Sequence, residues 1–133
     1  MFAAIVIVGG LLFAFMSFSK HGGKKHLDID RYRTKWLAIE QQLIKGNVAS
    51  YSMAVINADK LLDQALGEKG LRGQTLAESL KSGAKLFTNR NKVWAAHKLR
   101  NRISHDADAV VSYEEARYAL SGFKQALKDV GAI

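Results

Sequence analysis

Arg100, Asn101 and His105 stand near the end of a basic, helix-forming segment, in the run Arg100-Asn101-Arg102-Ile103-Ser104-His105 that breaks off at Asp106-Ala107-Asp108. A guanidinium is a rigid two-pronged donor suited to phosphate, and an imidazole exchanges protons near neutral pH. Together they supply what metal-free cleavage of a phosphodiester beside a ribose 2′-hydroxyl needs: one group to hold the phosphate and one to move the proton. Other chemistries lack their residues. There is no Cys, which excludes thiol nucleophiles, disulfides and thiolate metal sites. His21, His26, His97 and His105 show no ligand spacing with nearby acids, so no metal and no cofactor is expected. The carboxylates are scattered, and no pair falls beside a His by helix spacing.

Each of these residues also has an ordinary reading. Arg100 and Arg102 suit a helix surface, and His105 suits the negative end of a helix dipole. Trp94 reads as core packing, with base stacking as the alternative. His97 leans structural. Asp59 and Asp63 read as solvated or paired with Lys60, although one of them is placed to orient a basic group.

The element that must carry the motif is a helix starting at Thr88 or Asn89, with Val93, Ala96, Leu99 and Ile103 as its buried seam. At about 100° per residue, Arg100 lies just beside that seam; Ser104, His97, Asn101, Trp94 and His105 follow within about 140°. Arg100 and His105 are five residues apart and do not share one face of a strict helix. They converge only if the helix frays near His105 or a second subunit completes the site.

The rest of the chain reads as helices too. Pro is absent, and no alternation of period two is long enough for a strand. Ile29, Tyr32, Trp36, Ile39 and Leu43 step by three and four, and Gly46 ends that helix. Asn47 caps the next, where Val48, Tyr51, Val55, Ala58, Leu62 and Ala65 keep the same stepping to about Lys69, before Gly70 closes it. So short a joint makes these two helices antiparallel neighbours. Leu71 to Gln74 read as a loop. Thr75 and Glu78 form a capping box for a short helix to about Leu86, and Ser112 and Glu115 form another. That last helix has Ala116, Leu120, Phe123, Leu127 and Val130 as its seam. The expected fold is an all-α antiparallel bundle of four to five helices over residues 28–133, one domain in a chain of 133 residues.

Phe2 to Phe18 are uncharged and nearly all apolar, and as a helix span roughly 25 Å. No basic region precedes them and bulky Phe15, Met16 and Phe18 close them, unlike a cleaved secretory signal. Residues 1–19 are therefore expected to form one transmembrane helix, with residues 20–27 as a basic juxtamembrane linker. Lys20, Lys24 and Lys25 place the bundle on the cytoplasmic side of a single-pass cell-membrane protein. The formal charge is +8, and between Lys69 and Arg102 nine Lys or Arg stand against one acid, Glu78. A polyanion is the natural partner of such a segment, with Lys81, Lys85, Arg90, Lys92, Lys98 and Arg102 as the expected nucleic-acid contacts.

The run from Leu99 through Arg100, Asn101, Ile103, Ser104 and His105 to Asp106 resembles the signature of the HEPN superfamily. In that signature an Arg, usually followed by a polar residue, precedes a His near the end of a bundle helix. The context is similar: a long helix over Tyr51 to Leu66 lies before the motif and a closing helix over Phe123 to Val130 after it. The resemblance covers roughly residues 28–130. It implies a HEPN-like bundle that pairs as a homodimer with two motifs facing each other, and in many members a metal-independent endoribonuclease. His105 would then be general base or acid, Arg100 would bind the scissile phosphate, and Asn101 would position the phosphate or His105. Toxins of the superfamily that pair with a nucleotidyltransferase antitoxin have a Tyr two residues after the His. Here that position is Ala107, which sets the chain apart from that class. The rival reading is a non-catalytic helical module that docks an acidic protein partner, a nucleotide or an anionic lipid surface.

Overall fold

Each helix begins where a polar side chain accepts a hydrogen bond from one of the N–H groups its first turn leaves unpaired. A computed structural model describes residues 26–71 and 75–133. It shows five helices: α1 (Ile29–Gln42), α2 (Val48–Glu68), α3 (Leu76–Ser82), α4 (Arg90–His105) and α5 (Tyr113–Asp129). A 3-10 turn (Ala84–Leu86) follows α3, and there is no strand among the described residues. The expected membrane segment at residues 2–18, the basic linker up to Lys25 and residues 72–74 of the expected loop lie outside the described residues. Among the described residues no helix is long and apolar enough to cross a membrane.

The expected caps form. Asn47 accepts from the Ser50 N–H at 3.3 Å, Thr75 from Glu78 at 3.2 Å and Ser112 from Glu115 at 3.0 Å. Of the two candidates before α4, Asn89 is the cap, accepting from Lys92 at 3.1 Å. Thr88 instead donates its N–H to Asp129 at 2.9 Å, which ties the start of α4 to the end of α5. Gly46 turns the chain between α1 and α2 with a φ of 93°, and its N–H donates to the Tyr51 hydroxyl at 2.8 Å.

α2 is the central element, packed against the other four helices, and α5 packs on both α2 and α4. The core runs through Tyr32 and Trp36 of α1, Val55, Leu62 and Leu66 of α2, Val93 of α4 and Phe123 and Leu127 of α5. Two stripe residues depart from expectation. Ile29 and Val48 are 43% and 64% exposed, because first-turn positions project past the end of the bundle; Leu27 is buried instead of Ile29. The short third helix also stops earlier than Leu86. Gly83 ends it, and the chain tightens into the 3-10 turn before Phe87 enters the core.

A buried acid, imidazole and guanidinium cleft

Val55, Asp59, Leu62 and Leu66 step by four, three and four along α2, so a carboxylate occupies the stripe that faces the core. Asp59 is 5% exposed, and α4 supplies its partners. His97 donates Nδ1–H to Asp59 Oδ2 at 2.8 Å, in a pair where both side chains are buried. Arg100 Nε faces Asp59 Oδ1 at 3.6 Å, an ion-pair distance longer than a hydrogen bond. Asn101 Nδ2 lies 3.4 Å from His97 Nε2. With Nδ1 turned to the carboxylate, Nε2 is the atom that meets that amide. Trp94 stands edge-on to the His97 ring, centroids 6.2 Å apart, and is packed partly into the core.

These groups line a cleft of about 490 Å³ between α2, the start of α3 and α4, within the range of small-ligand sites. Lys60 and Asp63 of α2 and Thr75 before α3 add polar groups to its walls, and Ile56 and Leu76 add apolar ones. Lys60 is exposed. Asp59 is neither solvated nor paired with Lys60; it is buried against His97 and Arg100, the alternative in which one of the two acids of α2 orients a basic group. Its signal in the sequence was the interrupted apolar stripe of α2, matched by His97, Arg100 and Asn101 at spacings of three and four on α4. Among the described residues no group of three or more His, Cys, Asp or Glu is placed to hold a metal ion.

Arg100 and Asn101 thus meet in one cleft, and His105 does not line it. α4 stays helical through His105, with Asp106 as its C-cap donating its N–H to Arg102 at 3.0 Å. The helix does not fray before His105, so within one chain the imidazole lies about 7.5 Å further along the axis and about 140° round from Arg100. His105 itself is exposed.

The basic segment is divided in space. Lys98 and Arg102 line a separate groove between α4 and α5, with Leu99, Glu115 and Tyr118. There Arg102 is bound to Glu115 at 2.6 Å and Lys92 lies over the Tyr118 ring at 4.9 Å. The Arg102 hydrogen bond holds the Glu115 carboxyl below the usual range, and the Ser112 backbone, at the other end of the capping box, adds to the effect. Lys81, Lys85 and Arg90 are exposed and line neither the cleft nor the groove. The chain matches no protein-family model, no curated protein and no solved structure.

Proposed function

We propose that this chain is a membrane-tethered, HEPN-like RNA-binding domain that cuts RNA as a metal-independent endoribonuclease. The observation that carries the reading is the placement of Arg100 and Asn101. One is paired with a buried carboxylate and the other with a buried imidazole, and both border an open cleft, one helical turn before an exposed His105. Arg100 would bind the scissile phosphate and offset the charge that builds on it. His105 would take the proton of the ribose 2′-hydroxyl and return one to the leaving 5′-oxygen, giving a 2′,3′-cyclic phosphate. Asn101 would orient the phosphate. Because α4 is regular through His105, a second copy of the chain supplies the imidazole for each Arg100, so the active species is a homodimer.

Lys81, Lys85, Arg90 and Lys98 are exposed and available to phosphates flanking the site. Lys92 and Arg102 are already engaged with α5, and contribute only if RNA displaces Tyr118 or Glu115. The second reading, a nucleotide-binding module without cleavage, is favoured by the volume of the cleft beside Arg100.

The test is incubation of the full chain, wild type and His105→Ala, with mixed-sequence RNA in EDTA. The expected result is fragments ending in 2′,3′-cyclic phosphate from the wild type alone, with DNA of the same sequence left intact. No cleavage by the folded wild-type dimer sinks the ribonuclease and leaves the nucleotide-binding reading.

A further inference from the structure

The reaction above uses the outer donors of Arg100 and Asn101 and gives no part to the buried groups behind them. Both Asp59 oxygens are directed at α4, Oδ2 to His97 and Oδ1 towards Arg100 Nε. His97 in turn meets the Asn101 amide with its other nitrogen. One carboxylate therefore constrains both donors, one directly and one through an imidazole. We infer that Asp59 and His97 are positioning residues of an anion site whose donors are the Nη edge of Arg100 and the side-chain amide of Asn101, and whose ligand is a phosphate group. This rests on the reading of Arg100 as the phosphate donor, and not on cleavage.

Burying a carboxylate among apolar neighbours is costly, and an apolar side chain in the same stripe commonly serves stability as well. What a carboxylate adds is direction. Arg100 Nε is enclosed and has no hydrogen-bond partner, while 37% of its side chain is exposed, so the exposed area belongs to its other atoms. A guanidinium held along its Nε side keeps its terminal edge for a two-pronged bond to phosphate. The 3.6 Å gap to Oδ1 is of the kind that tightens when a ligand polarises the group. Lys60 and Asp63 on the cleft walls offset each other, so attraction for an anion depends on where the Arg100 donors point more than on net charge.

That dependence gives the test a sign. Replacing Asp59 by Asn removes a negative charge beside the site. A purely electrostatic role for Asp59 then predicts tighter phosphate binding, and a positioning role predicts weaker binding. The experiment is a titration of the full chain in detergent with inorganic phosphate, following the Arg100 Nε–H signal by nitrogen-15 NMR. The expected result is a phosphate-dependent shift in the wild type, affinity lower by about tenfold in Asp59→Asn, and partial recovery in Asp59→Glu. Unchanged or tighter binding by Asp59→Asn overturns the inference, as does a wild-type Arg100 signal that phosphate leaves unmoved. If Asp59→Asn loses its helical circular dichroism, His97→Gln takes its place with the same expectation, and unaltered phosphate affinity there overturns the inference. RNA cleavage by the same samples is scored separately. Asp59-dependent phosphate binding without cleavage upholds this site and sinks the ribonuclease, whereas cleavage that Asp59→Asn leaves intact sinks the positioning role alone.

Discussion

His105 is exposed at the last position of α4, so removing its imidazole is expected to affect chemistry and not folding. General acid–base catalysis is worth about 10²- to 10⁴-fold, and His105→Ala is expected to lose cleavage by that order while melting within a degree or two of the wild type. A matched fall in melting temperature would point to a packing role instead. Tyr32 shows the opposite balance. It is fully buried in α1 and its hydroxyl has no hydrogen-bond partner, and burial, with the neighbouring Glu68 carboxylate adding to it, pushes its pKa up to about 12. The unfolded chain ionises this phenol near 10, so stability is complete below pH 10 and falls as pH rises towards 12, by about 1.4 kcal/mol per unit. Tyr32→Phe is expected to be neutral or slightly stabilising at pH 7 and to lack that alkaline decline. Urea unfolding of both proteins between pH 9 and pH 11.5 checks it. At this scale Arg100, Asn101 and His105 were legible as a motif from residue type and spacing. The burial of Asp59 was not, since a carboxylate next to a lysine in the chain looks solvated until the facing helix is known.

Gly122 decides how closely α4 and α5 approach. A Cβ built on it would meet the carbonyl oxygen of Lys92 at 3.0 Å and its carbonyl carbon at 3.3 Å, backbone atoms that cannot turn aside. Gly122→Ala gains helix propensity and is nonetheless expected to destabilise by about 1–3 kcal/mol, as overpacking does. Thermal unfolding measures this, and a stabilised variant would mean the two helices separate freely. Because α4 carries the site, the same variant is expected to lower cleavage further than its stability loss explains. Ser112→Ala, at the start of α5, is expected to cost about 1 kcal/mol, read by urea unfolding. The helices and caps were legible because helix periodicity and capping depend on residues three and four apart in one chain. The early end of α3 was less so, since the 3-10 turn after it answers to where Phe87 finds the core.

For the whole molecule, α4 is regular through His105, and the proposed ribonuclease reading therefore calls for two copies of the chain. Mixing Arg100→Ala with His105→Ala is expected to restore about a quarter of wild-type cleavage, since half the dimers are mixed and each has one intact site. Complete inactivity of a mixture shown to exchange subunits would place both groups in one protomer's site. The sequence by itself determined the all-helical class, the order and caps of the helices, the absence of thiol chemistry and the residues of the Arg-Asn-His motif. Those properties are set by side-chain type and short spacing. Only the tertiary structure decided that Asp59 and His97 lie behind Arg100 and Asn101, and that the basic segment is shared between a cleft on α2 and a groove on α5. Such facts depend on which face of one helix meets another, and that is fixed by packing between residues 13 or more positions apart in the chain.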